Sequence, residues 1–287
     1  MIHTKLQKPK INISTDKNYK TVKKMVQESY LNTVCAEARC PNIYECWNRK
    51  TATLMILGDT CTRACGFCSV KTGKPTWNDP LEPIRVAQAV KKMGLRHVVI
   101  TSVDRDDLKG DFGASIWADT IKQTKKINPE CTVEVLTPDF KGFEPALKIV
   151  FDSKPDIFSH NVECVERISK AVRAQANWQR SLGVLEKSIQ HGLRTKTGIM
   201  VGLGEEVEEV KKTMRQVVDL GVQIFTIGQY LQPTKNHLKV EEYISKEQFE
   251  LYKEYGYSIG FKVVESGPLV RSSYHADEQA RMVFNNG

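Results

Sequence analysis

Past residue 50 the chain alternates short apolar runs, rich in β-branched residues, with longer amphipathic stretches. Helix-like segments fill the gaps between the runs, and several of them stop at a glycine, as at Gly94, Gly192 and Gly221. Neighbouring parallel strands require crossovers of this length, so the alternation predicts a parallel sheet. Each run is compact enough to be a strand buried on both faces, and the six runs span residues 53–57, 97–103, 132–136, 156–159, 195–203 and 222–227.

The sequence disfavours two common nucleotide-binding sites, those of the Rossmann fold and of the P-loop proteins. No GxGxxG pattern follows the first run, and no GxxxxGK[ST] pattern occurs in the chain. We therefore predict an α/β fold, a partial (β/α)6 TIM-like barrel with an N-terminal extension and a short C-terminal extension. The expected boundaries are 1–50, 51–260 and 261–287. Chemistry in such barrels lies on the loops at the carboxyl ends of the strands.

The charge is concentrated near the N-terminus. The formal net charge is +8, and residues 1–30 hold seven lysines against Asp16 and Glu28, which accounts for +5. A basic segment suits nucleic acid, an anionic membrane or an acidic protein partner, or is simply a solvated terminus. Since no secretory h-region and no apolar stretch of ~18 residues is present, we expect a cytoplasmic protein in a reducing compartment.

Six of the eight cysteines lie within 34 residues, as two triplets. The second triplet, Cys61, Cys65 and Cys68, has the spacing CxxxCxxC and directly follows the first predicted strand. Zinc loops usually pair CxxC units and add a fourth ligand, and no such ligand lies nearby. Three thiolates in one loop suit a [4Fe–4S] cluster with one iron left open, which indicates chemistry and disfavours a purely structural site.

This triplet, with Phe67 before its last cysteine, resembles the radical S-adenosylmethionine superfamily. The resemblance implies that the open iron binds S-adenosylmethionine and that the reduced cluster cleaves it to a 5′-deoxyadenosyl radical. Residues 198–205 are similar to the superfamily's GxIxGxxE element. The residues expected to contact the cofactor are Phe67, Thr101, Ser102, Asn161, Glu163, Arg173 and Gly202.

The first triplet, Cys35, Cys40 and Cys46, has the spacing CX4CX5C. Together with the phrases at 58–63, 101–108, 228–234 and 271–274 it resembles the lipoyl synthase family over nearly the whole chain. The resemblance implies a second [4Fe–4S] cluster, held by this triplet and by the serine Ser273, with Arg271 steadying the serine or the cluster. It also implies insertion of two sulfur atoms at C6 and C8 of a protein-bound octanoyl-lysine chain, with the second cluster as the sulfur source.

The partners implied by the family are octanoylated lipoyl carrier domains, namely 2-oxoacid dehydrogenase E2 subunits and the glycine cleavage H protein. A ferredoxin- or flavodoxin-type electron donor and an iron–sulfur carrier protein are also implied, and neither nucleic acid nor membrane is expected. Three alternatives stay open: a methylthiotransferase-like enzyme, a basic metal- or cluster-binding nucleic-acid protein, and an electron carrier.

Several other residues are ambiguous at this level. Cys131 and Cys164 have no triplet partners, so we expect buried thiols and not ligands. The charged run 104–107 is either solvated or part of a lid or substrate channel. His275 is a weak candidate because it lies beside Ser273. The loop 109–117 departs from the family pattern by one apparent extra residue, which leaves its contacts open.

Overall fold

The computed structural model describes residues 8, 9, 11, 13, 15–38, 40–49 and 51–285, so Lys5 and Lys10 of the basic segment lie outside the described residues. Eight strands form one sheet in chain order, and only the first pair is antiparallel. The predicted partial parallel barrel is confirmed. The strands are β1 Asn32–Thr33, β2 Thr53–Ile56, β3 His97–Ser102, β4 Thr132–Leu136, β5 Ile157–Ser159, β6 Thr195–Val201, β7 Ile224–Gln229 and β8 Val263–Gly267.

Helices connect the parallel strands and cover their outer face. The segment 164–174, which the helix-like pattern between the runs predicts to be one helix, holds only a 3-10 turn, Glu166–Ile168, and one short helix. The described part of the first 50 residues holds helices that the sequence did not predict. The helices are α1 Lys17–Glu28, α2 Val34–Glu37, α3 Ile43–Asn48, α4 Glu82–Met93, α5 Ala114–Ile127, α6 Glu144–Asp152, α7 Ser169–Val172, α8 Trp178–Gln190, α9 Val207–Asp219, α10 Lys246–Ser258 and α11 Ala276–Asn285.

The N-terminal helices share the core of the barrel. Val22 and Val26 on α1 and Trp47 on α3 are buried in the same cluster as Leu54 and Ile56 of β2. The lysine-rich sequence of α1 therefore carries an apolar stripe at i, i+4 spacing, which is the usual reason for such a helix to pack. As a result, the segment with the first cysteine triplet rests against one side of the barrel.

Helix α11 closes the amino ends of several strands. Ala280 and Val283 pack with Ile157, Ile224 and Val263, the first residues of β5, β7 and β8. The opposite, carboxyl ends are left for the loops that carry both the cysteines and the polar residues described below. Among the described helices, none has the length and apolar character required to cross a membrane.

Candidate active site

A cavity of about 460 Å³ opens at the carboxyl ends of the strands, and both cysteine triplets contribute to its wall. Cys35 and Cys40 line it from one side, and the whole second triplet lines it from the other. Cys46 faces a smaller adjoining cavity of about 30 Å³ that Cys35, Cys40, Arg271 and Ser273 also line. The first triplet thus stands between two cavities, close to the serine that the sequence singled out.

The second triplet lies on a loop whose backbone is held by hydrogen bonds within the loop and to other parts of the chain. The N–H of Cys61 donates to Lys71 O at 2.8 Å, and the N–H of Gly66 donates to Val172 O at 2.9 Å. From the far side, His237 Nε2 lies 3.0 Å from Cys68 O. In addition, the N–H of Asp104 donates to Cys61 Sγ at 3.3 Å, a contact of the type that tunes cluster-ligating sulfurs. The loop is therefore held in shape by hydrogen bonds from the rest of the chain.

All eight cysteines are free thiols. Burial raises the pKa of Cys35 and Cys61 to about 11 and that of Cys46 and Cys65 to about 12. Without a bound metal these thiols stay protonated at neutral pH, so cluster binding must release protons. Cys131 and Cys164 are buried, as expected.

The thiol sets fit clusters better than single ions. Within the described part of the chain, no three His, Cys, Asp or Glu side chains converge closely enough to hold one metal ion. Three thiolates on a [4Fe–4S] cube each bind a different iron, so their sulfur atoms surround the cube and do not meet at a point. Two sets of three soft cysteine thiolates in separate loops are consistent with that arrangement.

The charged run after β3 forms a buried ion-pair network and is not a solvated surface. The Arg63 guanidinium, between two cysteines, donates to Asp106 at 2.9 Å and to Asp139 at 2.7 Å. Despite burial, the hydrogen bonds from Arg63 lower the pKa of Asp139 to about 2. Burial raises the pKa of Asp104 to about 6, although the charge of Arg63 opposes this. The network fastens the cysteine loop to the ends of β3 and β4.

Ser273 lies beside the first triplet through a contact that the sequence did not suggest. The Thr53 hydroxyl, at the start of β2, donates to Ser273 Oγ at 2.8 Å. Thr53 also hydrogen-bonds the Cys35 thiol and holds its pKa below the value that burial alone would give. Arg271 is half-buried, and desolvation lowers its pKa while the neighbouring Cys40 favours its charged form. No sequence pattern distinguishes Thr53 from an ordinary strand residue.

Contacts between the two ends of the chain place Ser273 there. Asn42 Nδ2 donates to Leu269 O at 2.6 Å. Arg49 donates to Glu278 at 2.5 Å and lies 2.9 Å from His275 Nε2, which is also 2.9 Å from Glu45. His275 therefore belongs to this set of contacts, which we call the terminal clasp (Asn42, Glu45, Arg49, Leu269, His275 and Glu278).

Polar residues after β3 and β5 line the cavity on the side of the second triplet. Thr101 and Ser102 line it but satisfy their hydroxyls on backbone carbonyls, Leu136 O at 2.9 Å and Val103 O at 2.8 Å. Burial raises the pKa of Glu163, which Arg173 and Asn161 partly offset.

Two buried polar atoms in this wall have no partner: Asn161 Oδ1 and Arg173 Nε. Both residues line the cavity, and an amide acceptor and a cationic guanidinium match the ammonium and the carboxylate of an α-amino acid, which is one end of S-adenosylmethionine. The residues present therefore fit this cofactor.

The structure does not bring every expected residue to the cavity wall. Phe67 lines it, whereas Gly202 does not; instead, a Cβ at Gly202 would lie 2.4 Å from Glu242 O and 2.2 Å from Gln229 Nε2. In the same element it is Gly198 that lines the cavity. The loop 109–117 is ordered by Asp111, whose carboxylate accepts from the N–H groups of Gly113 and Ser115 at 2.9 Å.

Comparisons with known proteins agree with this geometry. The Radical SAM superfamily model matches residues 55–217. The chain is 56% identical over 272 residues to lipoyl synthase of Rubrobacter xylanophilus, covering 94% of this chain and 84% of that one. It is 52% identical over 275 residues to the mitochondrial lipoyl synthase of Nematostella vectensis, covering 94% of each.

Solved structures of low sequence identity share the fold. Methylornithine synthase matches with a TM-score of 0.56 and 10% identity, over 90% of this chain and 79% of that one. Streptococcus suis SuiB bound to S-adenosylmethionine matches with a TM-score of 0.59 and 12% identity, over 90% of this chain and 58% of that one. On the match to the superfamily model and the full-length identity to its relatives, the chain belongs to the lipoyl synthase family of the radical S-adenosylmethionine superfamily.

Proposed function

We propose that this chain inserts two sulfur atoms, at C6 and C8, into an octanoyl chain carried on a lysine of a protein. The observation that carries the proposal is the position of five of the six triplet cysteines on the wall of one cavity, with Cys46 at the adjoining smaller cavity that Ser273 also lines. A role for only one cluster would leave the first triplet and the Thr53–Ser273 contact unexplained.

Two ligand sets follow from this arrangement. Cys61, Cys65 and Cys68 would hold the cluster that cleaves S-adenosylmethionine. The second cluster would be held by Cys35, Cys40, Cys46 and Ser273. When bound, these groups supply the 5′-deoxyadenosyl radical that removes hydrogen from unactivated carbon, and the sulfide that replaces it.

The chain's own residues bind and orient S-adenosylmethionine and surround the second cluster. We propose that Arg173 receives the carboxylate of S-adenosylmethionine, with Asn161 and Glu163 at its ammonium and Phe67, Thr101 and Ser102 completing the wall. Gly202 acts indirectly, since its lack of a side chain lets Gln229 and Glu242 approach. Arg271 supplies a half-buried positive charge next to the first triplet.

Ser273 is the ligand suited to release. An oxygen is a harder donor than a thiolate and binds iron–sulfur iron less well. Thr53 holds Ser273 Oγ by a hydrogen bond of 2.8 Å, so the side chain has a place to return to when it is not a ligand.

The proposed partners are octanoylated E2 and H-protein carrier domains, a ferredoxin- or flavodoxin-type donor and an iron–sulfur carrier protein, all in the cytoplasm. The boundaries 1–50, 51–260 and 261–287 then correspond to the second-cluster segment, the radical barrel and the serine-bearing tail. The basic N-terminal segment would attract acidic carrier domains.

The test is anaerobic turnover of an octanoyl-lysine peptide with S-adenosylmethionine and a reductant, after loading to about eight iron and eight sulfide per chain. Mass spectrometry should show the peptide gaining two sulfurs as a dithiol, which loses two hydrogens only when it is afterwards oxidised to the disulfide, together with 5′-deoxyadenosine. Deoxyadenosine without sulfur in the peptide would overturn the substrate assignment. A fully loaded protein that makes no deoxyadenosine would overturn the radical assignment.

Matched variants separate the two sites. Cys40→Ala should lose about half of the iron and all sulfur insertion but still form deoxyadenosine, because the second triplet is intact. Cys65→Ala should lose deoxyadenosine formation as well. Cys131→Ala, a buried thiol away from both triplets, serves as the control and should retain full iron content.

A further inference from the structure

A chain of hydrogen bonds leads from Arg173 in the cavity wall through the buried Ser181 to His160, which also lines the cavity. Arg173 Nη2 lies 3.2 Å from Ser181 Oγ on α8, and Ser181 Oγ lies 3.0 Å from His160 Nε2. His160 Nδ1 lies 2.9 Å from Thr137 O. All three side chains are at least nine-tenths buried, at 5%, 0% and 4% exposure for Arg173, Ser181 and His160.

The direction of every bond in this chain is determined by its two ends. The Thr137 carbonyl can only accept, so His160 Nδ1 carries the hydrogen and neutral Nε2 is left as an acceptor. The Ser181 hydroxyl must therefore donate to Nε2, which directs its lone pairs toward Arg173. A guanidinium can only donate, so the chain is consistent throughout. Burial lowers the pKa of His160 to about 4, which keeps the ring neutral at physiological pH as this pattern requires.

These hydrogen bonds fix the position of the Arg173 guanidinium but do not use all of its nitrogen donors. Nη1 donates to Asn161 O at 3.2 Å and Nη2 to Ser181, whereas Nε is buried without a partner. Arginine otherwise has many rotamers, and each one not locked in place weakens binding through lost entropy. The backbone is fixed too, since the neighbouring Val172 accepts from Gly66 of the cysteine loop.

We propose that Ser181 and His160 are positioning residues that fix Arg173 for S-adenosylmethionine, with the Ser181 hydroxyl as the link. This inference rests on the proposed function, because it takes Arg173 to be the group that receives the cofactor's carboxylate. Ser181 does not line the cavity, so its effect on binding passes through Arg173. His160 does line the cavity, and its link to Arg173 runs through the Ser181 hydroxyl.

The test is a double-mutant cycle on S-adenosylmethionine binding, measured by anaerobic calorimetry on the cluster-loaded protein. Ser181→Ala should weaken binding about tenfold, the effect of losing one hydrogen bond to a charged group. In the Arg173→Ala background, which itself binds weakly, Ser181→Ala should have no further effect. Ser181→Thr, which keeps the oxygen acceptor, should bind within about twofold of the unaltered protein.

Helix α8 offers a matched control. Ser188 is also fully buried and its hydroxyl is also hydrogen-bonded, but to Leu185 O and to Thr195 Oγ1 at 2.8 Å and not to Arg173. Ser188→Ala should leave the affinity unchanged in both backgrounds. Iron content and melting temperature, measured for every variant, report whether a loss of affinity merely follows loss of structure.

The possible outcomes separate the two claims. Equal affinities of Ser181→Ala and the unaltered protein, with Arg173→Ala weakened, would overturn the positioning role and leave the proposed function intact. An undiminished loss from Ser181→Ala in the Arg173→Ala background would also overturn it, because the effect would then not pass through Arg173. If the unaltered, fully loaded protein binds no S-adenosylmethionine, the proposed function fails together with this inference.

Discussion

His160 illustrates how one buried side chain makes stability depend on pH. Burial lowers its pKa to about 4, compared with an ordinary 6.5. Because the folded-state pKa is depressed, the neutral ring contributes stability above pH 6.5, and this is lost as the pH falls toward 4. Between pH 7.5 and pH 5 the cluster-free protein should lose about 2 kcal/mol from this group alone. Urea unfolding at both pH values should show a smaller loss for His160→Gln; an identical loss would refute the assignment.

The interior of the barrel contains a buried ion pair. Removing one partner should destabilise the protein, whereas replacing both partners should not. Lys196 Nζ lies 2.8 Å from Glu134 Oε1, with side-chain exposures of 0% and 1%. Lys196→Met leaves the buried Glu134 carboxylate with only His97, 3.5 Å from its other oxygen, and should lower the free energy of unfolding by about 3 to 5 kcal/mol. Replacing both residues, Lys196→Met with Glu134→Leu, should restore most of that loss. Denaturant unfolding compares the three proteins, and a double variant as unstable as the single one would contradict the prediction.

Glycine at 228 permits the close approach of the segment that carries Ser273. A Cβ at Gly228 in β7 would lie 2.0 Å from Val270 O, a backbone atom that cannot turn away. Gly228→Ala should therefore push residues 270–273 outward and cost about 1 to 3 kcal/mol. It should also reduce the iron bound by the first triplet. Gly183→Ala, in the middle of α8 with open space around it, is the control and should stabilise by about 0.5 to 1 kcal/mol. Unfolding curves and iron content of both variants test this prediction. Unchanged stability and iron content in Gly228→Ala would contradict it.

Helices and strands of the barrel were predictable because their apolar periodicity is strong. Strand β4 and helix α5 have the bounds expected from the sequence, and the glycines after α4 and α8 have positive φ, as C-caps do. Helix α1 was missed because its buried positions are few among lysines. Strand β1 has two residues, too few for any periodicity.

The residues of the candidate site were likewise predictable only where they follow a local pattern. Local spacing predicted the cysteine triplets, because ligands of one cluster lie close together in sequence. Thr53, Ser181 and Arg63 were not singled out, because each acts through a partner far along the chain: Thr53 and Ser273 are 220 residues apart. Such pairings depend on how strands and helices are placed in space, which no local pattern encodes.

Taken as a whole, the molecule brings its two ends together over one side of the barrel. The terminal clasp joins the segment of the first triplet to that of Ser273, while the second triplet is held independently by the barrel loops. The geometry therefore allows the two cluster sites to be weakened separately. None of the clasp residues lines the 460 Å³ cavity. Substitutions in the clasp therefore need not disturb the cofactor contacts.

Asn42→Ala combined with Arg49→Ala removes two links of the clasp and tests this separation. Asn42 is 3% exposed, and loss of its part-buried hydrogen bond to Leu269 O should cost about 1 kcal/mol. Arg49, more exposed at 34%, should add less than about 1 kcal/mol. The variant should therefore bind about half of the normal iron, lose sulfur insertion and still form deoxyadenosine. Lys187→Ala, which breaks the exposed pair with Glu144 on the outer surface, provides a control that should keep full iron content. Equal loss of deoxyadenosine and sulfur insertion in the clasp variant would mean that the two cluster sites are not held independently.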